Sequence, residues 1–242
     1  MTAIITGWIG IMGASCGSFL NVLVDRSEHH ESIQGRSHCD SCNHTLHWYE
    51  LIPVLSYVIQ GGKCNTCKAK LSFQYPTVEL ASAGIFVISY LYLAHGDLLL
   101  TVIFILIGFA SLGILLSDIK YMTIPDWAVV VLFICGLLLN QQQLPLGLAT
   151  ASFSLMLFLL IYVLSHGAAM GFGDVKLAFV MGYLLSLPSL LFALYISVLT
   201  GGLVAGYLLL AKKVGMKSTI SFGPFLIVGL ITMIWYEYTK TP

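Results

Sequence analysis

Long apolar runs dominate the chain, and short polar turns separate most of them. The runs cover residues 4–24, 78–94, 98–117, 127–139, 146–164, 175–187, 189–210 and 220–237. Two of them are short compared with the roughly 20 residues that usually cross a bilayer. The pattern predicts an all-α polytopic membrane protein with about eight transmembrane helices. Because no basic residue precedes the first run, we expect a retained helix and not a secretory signal.

Composition and charge support this interpretation. The chain is 58% hydrophobic and 9% charged, whereas about a quarter of the residues of a soluble domain are charged. If the N-terminus lies outside, eight passes place the loops at 25–76, 118–126, 165–174 and 211–219 inside. These loops and their flanks hold all the basic residues except Lys240: Arg26, Arg36, Lys63, Lys68, Lys70, Lys120, Lys176, Lys212, Lys213 and Lys217. This bias is typical of the cytoplasmic side.

The long polar segment carries four cysteines in two CxxC pairs, with 21 residues between the pairs. The cysteines are Cys39, Cys42, Cys64 and Cys67. Four thiolates suit a tetrahedral structural zinc ion and leave no open coordination position. Two disulfides are the alternative, which a reducing cytosol disfavours. The sequence thus predicts a first transmembrane helix at 1–24, a small cytoplasmic zinc-ribbon-like domain at 25–76 and a transmembrane core at 77–242.

Two aspartates are the candidate catalytic residues. Asp118 ends an apolar run, and Asp174 closes the sequence Gly171-Phe172-Gly173-Asp174. The topology places both on the same face, where two neighbouring carboxyls can share a proton and activate water, as in aspartic proteases. The two glycines would let the backbone approach an extended substrate. Alternatively, Asp174 simply caps the following helix, as Asp126 could.

Two other classes of function compete with a protease. A proton-coupled transporter would also carry intramembrane carboxylates, but it would place them near the bilayer midplane. A membrane-anchored zinc-ribbon adaptor would need the cysteines and not the aspartates. The position of the acids at helix ends on one face favours an enzyme.

The ordered motifs resemble the type IV prepilin peptidase family of GxGD aspartic proteases. The blocks that carry the resemblance are the two CxxC pairs and residues 17–22, 51–57, 62–64, 75–80, 118–126, 171–177 and 222–225. They cover most of the chain in the family's order. One departure is Glu50, where the family more often has Asp.

The resemblance implies a multi-pass enzyme of the bacterial cytoplasmic (inner) membrane, with its active site and cysteine domain facing the cytoplasm. It would remove the leader from prepilins or pseudopilins, as in type IV pilus assembly, and then methylate the new N-terminus with S-adenosylmethionine. Asp118 and Asp174 match the catalytic aspartates, and Gly62 and Lys63 match residues linked to methylation. We therefore expect prepilin substrates and the lipid bilayer as partners, and no nucleic acid.

Overall fold

The computed structural model describes residues 2–29, 31–32, 34–39, 41–94, 96–140, 144–168, 170–212 and 220–240. Within these residues the regular structure is helical, and the only β-type pairings are two isolated bridges. The helices are α1 (Thr2–Glu28), α2 (Leu55–Ile59), α3 (Gln74–Ile88), α4 (Leu98–Tyr121), α5 (Asp126–Leu139), α6 (Leu144–Leu164), α7 (Phe172–Leu184), α8 (Leu187–Leu210) and α9 (Gly223–Lys240). A 3₁₀ turn (Trp48–Leu51) precedes α2, and a π turn (Ser89–Leu93) extends α3.

Each predicted apolar run forms one helix, so the all-α prediction is confirmed. In the described part of the chain, five helices are long and apolar enough to cross a membrane: α1, α3 with its π turn, α4, α6 and α8. The other three helices that correspond to apolar runs are α5, α7 and α9. The chain is thus a multi-pass membrane protein, and the count of eight passes stays a prediction.

The chain divides into two compact units, residues 1–112 and 113–242. In the first unit, α1 packs closely along α3 because Gly17 has no side chain: a β-carbon there would lie 2.8 Å from Cα of Glu79. Polar side chains join the same helices, since Gln74 Nε2 donates to Asn21 Oδ1 at 3.3 Å. The buried Asn21 amide also donates to the Gly17 carbonyl at 3.2 Å.

Helix α7 lies inside the second unit and packs against α5, α6 and α9. Nine of its 13 residues are buried, so it is short but largely shielded by protein. Its last carbonyls are satisfied from a neighbouring helix, because Asn140 Nδ2 donates to the Tyr183 carbonyl at 2.8 Å. This central position brings the first turn of α7 to the ends of α4 and α9.

Candidate active site and cysteine cluster

Asp118 lies in the last turn of α4 and is only 5% exposed. The chain reverses immediately afterwards, with Met122 in the left-handed region at φ 56° and its N–H donating to the Asp118 carbonyl at 3.1 Å. The hydroxyl groups of Ser117 and Thr123 form a hydrogen bond of 3.1 Å across this turn. The end of α4 is therefore held in a defined position before α5 begins.

Asp174 lies in the first turn of α7 and is 7% exposed. Its Oδ2 accepts a hydrogen bond from the Gly171 N–H at 3.2 Å. Gly171 is the N-cap and Asp174 the third residue of α7, so Asp174 supports the helix start from inside the first turn and is not itself the N-cap. The same contact places the carboxylate at the positive end of the α7 dipole.

The structure brings both carboxyl groups to one end of the second unit, within electrostatic range of each other. Asp118 Oδ2 is buried and makes no hydrogen bond of regular geometry with the described residues. The backbone N–H of Gly223, at the start of α9, nevertheless lies within electrostatic reach of the Asp118 carboxyl. The last turn of α4, the first turn of α7 and the start of α9 therefore lie near one another, and the two acids occupy opposite kinds of helix end.

Ile124 lies between the first turn of α7 and the start of α9. A β-carbon on Gly173 would lie 3.0 Å from Cβ of Ile124, and one on Gly223 would lie 3.4 Å from its Cδ1. The bare face of Gly173, which we had expected to admit the substrate backbone, is thus in contact with a residue of the chain itself. We had singled out neither Ile124 nor Gly223 for a role, because only the tertiary packing brings them together.

Asp126 has a different environment from the two buried acids. It is the first residue of α5, its side chain is 74% exposed, and it pairs with Lys176 Nζ at 2.6 Å. Lys176 also lies over the ring of Phe172. Asp126 therefore belongs to an exposed ion pair near the acidic turns.

The four cysteines of the two CxxC pairs come together as predicted. Their sulfurs all lie within 4.8 Å of one another, and Cys39 Sγ is 3.9 Å from Cys67 Sγ. A tetrahedral site with Zn–S bonds of about 2.3 Å requires sulfurs about 3.8 Å apart. All four thiols are free, so the structure does not adopt the disulfide alternative. The donor set and its spacing fit zinc.

The two CxxC pairs form the same knuckle twice. In each, the N–H of the first cysteine donates to the carbonyl five residues later, the residue four positions later has a positive φ, and an isolated bridge closes the turn. The first knuckle has Cys39 N–H to His44 O, Asn43 at φ 54° and the bridge His38–Thr45. The second has Cys64 N–H to Ala69 O, Lys68 at φ 60° and the bridge Lys63–Lys70.

The electrostatics of the cluster also favour a cation. The backbone N–H groups of Cys67 and Thr66 lower the pKa of Cys64 to about 6, which favours its thiolate. Although the backbone of His44 stabilises the Cys42 thiolate, desolvation and hydrogen bonds shared with the other three thiols raise the pKa of Cys42 to about 12. A bound cation would allow all four sulfurs to ionise.

In the sequence, Glu50 stands out only as a departure from the residue that the family more often has. In the structure, its side chain connects two segments of the cysteine domain. It is buried; Oε2 accepts the His47 N–H at 2.8 Å and Oε1 accepts Asn65 Nδ2 at 2.9 Å. The hydrogen bond from the His47 N–H has the largest effect, and together with the bond from Asn65 it lowers the pKa of Glu50. Glu50 thus ties the 3₁₀ turn to the second knuckle. It also forms a second group of possible metal ligands with His44 and His47, which the sequence did not predict.

Gly62 and Lys63 lie just before the second knuckle. Gly62 has φ 66°, and a β-carbon on it would lie 2.9 Å from the Tyr57 hydroxyl, so the local backbone itself requires glycine. Lys63 is exposed. Their link to methylation stays a prediction.

Comparisons with known proteins cover most of the chain. The model of the bacterial peptidase A24 N-terminal domain matches residues 11–93, which contain the cysteines, and that of the type IV leader peptidase family matches residues 104–206, which contain both buried aspartates. A Bacillus subtilis protein named prepilin leader peptidase/N-methyltransferase is 32% identical over 93% of this chain and 92% of its own length. Proteins of the same name from Pseudomonas aeruginosa and Pseudomonas putida are 29% and 30% identical, each over 93% of this chain and 88% of their own length. No solved structure matches this chain significantly.

Proposed function

Because this chain belongs to the type IV leader peptidase family, we propose that it cuts the leader peptide from prepilins or pseudopilins at the cytosolic edge of the membrane. The chain is an enzyme, a membrane-bound protease, and its relatives are named for N-methyltransferase activity as well. The proposed location in the bacterial inner membrane rests on the family, and the inward-facing active site rests on the distribution of basic residues along the sequence.

One observation supports the peptidase proposal: two buried carboxyl groups from different helices lie within electrostatic range of each other at one end of the second unit. Two carboxylates that act on each other in a buried place do not ionise together easily, so the pair would work with one proton between its members. We assign the base to Asp174, because its carboxylate accepts the Gly171 N–H at the positive end of α7. Asp118 then carries the proton.

In this mechanism Asp174 takes a proton from a water molecule as the oxygen of that water attacks the carbonyl carbon of the scissile peptide bond. Asp118 donates its proton to the carbonyl oxygen, which gives a neutral tetrahedral intermediate. Collapse of the intermediate breaks the C–N bond, and the proton now on Asp174 passes to the leaving nitrogen. Asp118 recovers a proton from the intermediate's hydroxyl, so the pair returns to its starting state.

The location of the pair explains how a membrane helix can be a substrate. A helical peptide hides its carbonyls in hydrogen bonds, so the cut site must unwind before water can attack. Both acids lie at helix ends, Asp118 in the last turn of α4 and Asp174 in the first turn of α7. The basic leader would reach the cytosol while the apolar part of the substrate stays in the membrane.

We further propose that residues 25–76 support methylation of the new N-terminus, with zinc bound by Cys39, Cys42, Cys64 and Cys67 as a structural ion. S-adenosylmethionine would supply the methyl group to the free amine. Gly62 and Lys63 are the candidate residues for this step. The local backbone already requires glycine at position 62, whereas the side chain of Lys63 is exposed and could act in the reaction.

The test is mass spectrometry of the N-terminus of a prepilin that is co-expressed with the enzyme. Asp118→Asn and Asp174→Asn should each reduce leader removal by roughly a hundred-fold or more, because each removes one partner of the acid–base pair. Asp126→Asn is the matched control, since that carboxylate is exposed and pairs with Lys176. Full cleavage by either of the first two variants would refute the mechanism, and the same spectrum reports methylation.

A further inference from the structure

The polar domain of the first unit carries an unusually apolar surface between its two knuckles. Trp48 is 76% exposed, Val58 66% and Ile59 74%. Soluble proteins rarely expose contiguous apolar patches of this kind unless the patch meets a membrane or a partner. The other exposed apolar side chains of the patch are Tyr49, Leu51, Ile52, Leu55 and Phe73.

A buried carboxylate anchors the middle of this patch. The Val54 N–H donates to Glu79 Oε2 at 2.7 Å, and the Ser18 hydroxyl bonds to the same carboxylate. Val54 has φ 62°, a conformation that β-branched residues rarely adopt. The turn before α2 is thus held, at a conformational cost, against both α1 and α3.

The positions of Glu79 in α3 and Ser18 in α1 indicate how far this turn lies from the polar ends of those helices. Glu79 comes five residues after Gln74, the first residue of α3, which corresponds to about 7.5 Å along a helix. Ser18 comes seven residues before Asp25, the first charged residue of α1, which corresponds to about 10 Å. Both distances place the Val54 amide well inside the polar ends of the membrane helices.

Several backbone groups around the turn pair with other protein groups, which lipid favours because it offers no partners of its own. Pro53 has no N–H, and the Leu55 N–H donates to the Pro53 carbonyl at 2.6 Å. The N–H groups of Ser56 and Val58 donate to the carbonyls of Ile52 and Val54. Each of these pairs lowers the cost of placing the segment in an apolar medium.

We propose that residues 52–59 dip into the lipid bilayer as a re-entrant segment, with Trp48 and Tyr49 at the level of the headgroups. Aromatic side chains with a polar edge favour that level. The segment lies between Cys42 and Cys64, so it holds the cysteine cluster against the membrane surface. The exposed lysines of the second knuckle, Lys63, Lys68 and Lys70, would then face anionic headgroups. This inference is independent of the chemistry that the enzyme performs.

Fluorescence quenching in proteoliposomes tests the depth directly. The four tryptophans (Trp8, Trp48, Trp127 and Trp235) are replaced by Phe in the full chain, and one new tryptophan is introduced. Val58→Trp reports on the re-entrant segment, Leu80→Trp marks an exposed position of α3 beside Glu79, and Gln34→Trp marks the exposed polar loop. We expect lipids brominated in the acyl chain to quench Val58→Trp and Leu80→Trp to a similar extent, at least twofold more than Gln34→Trp.

If the proposal holds, aqueous iodide should quench the fluorescence of Gln34→Trp more strongly than that of Val58→Trp or Leu80→Trp. Iodide quenching of Val58→Trp as strong as that of Gln34→Trp would place the segment in water and overturn it. Protection from both quenchers would mean that protein covers the patch, which overturns it equally.

Variants of the anchor test its role separately. In the Val58→Trp background, Glu79→Ala should reduce quenching by the brominated lipid about twofold, because the Val54 N–H loses its acceptor. Glu79→Gln keeps an acceptor oxygen and should preserve the quenching. An unchanged signal in Glu79→Ala would show that Glu79 does not set the depth.

Discussion

A β-carbon on Gly223 would lie 2.5 Å from Oδ2 of Asp118 and 3.1 Å from its Cγ. The carboxyl of Asp118 therefore rests directly on the bare backbone at the start of α9. No other residue type leaves this space open, so the position of Asp118 depends on a glycine more than 100 residues away in the sequence.

Gly223→Ala should reduce leader removal at least tenfold, because the methyl group would displace the Asp118 carboxyl from Asp174. The assay is cleavage of a prepilin by membranes that contain equal amounts of each variant. Gly206→Ala is the matched control, since a β-carbon at Gly206 meets open space and should leave activity unchanged. Wild-type activity in Gly223→Ala would show that the carboxyl does not need this contact.

Gly173→Ala should also reduce cleavage, because the added methyl group would press on Ile124 at 3.0 Å. If that contact is the cause, removing the β-carbon of Ile124 should relieve it, and the double variant Gly173→Ala/Ile124→Gly should recover part of the activity. Measuring both single variants and the double variant completes a double-mutant cycle. Strictly additive losses would instead indicate that Gly173 has to stay bare for the substrate.

Metal analysis of the purified protein should find about one zinc ion per chain. Cys39→Ser and Cys64→Ser should each lose most of it, because each removes one of four ligands. Cys135→Ala is the control, since this buried cysteine lies outside the cluster. A full equivalent of zinc that survives in Cys64→Ser would point to His44, His47 and Glu50 as the binding site.

Asn140→Ala should lower the thermal midpoint in detergent, with a cost of about 1 kcal/mol, because the Tyr183 carbonyl at the end of α7 loses its donor. Thr232→Ala is the control: its hydroxyl is exposed and bonds only to the Val228 carbonyl in its own helix. An equal midpoint for both variants would mean that water replaces the Asn140 donor.

Much of the site was accessible from sequence because its signals are local. The CxxC spacing predicted the four-sulfur cluster, since each knuckle closes within seven residues, as the bridge between Lys63 and Lys70 illustrates. Asp118 and Asp174 were candidates because each lies at the edge of an apolar run. Their roles as catalytic residues stay predictions; the structure buries both carboxyls and places them within electrostatic range of each other.

The contacts that hold the site in place carried no such signal. Glu79 lies in one of the blocks that carry the family resemblance, but nothing in the sequence indicates that its carboxylate binds the Val54 amide, 25 residues earlier in the chain. Glu50 likewise required the fold, because its second partner, Asn65, comes from the other knuckle. Such pairs have no fixed spacing along the chain.

By itself, the amino-acid sequence determined which segments are helices, because burial of backbone groups in lipid forces long apolar runs to satisfy their hydrogen bonds internally. It also determined the four-cysteine ligand set, through short-range spacing. Only the tertiary structure decided that Ile124 lies between Gly173 and Gly223, and that the end of α4 meets the starts of α7 and α9. Those contacts depend on how side chains of distant segments fill a shared space, and packing of that kind leaves no periodic pattern in the sequence.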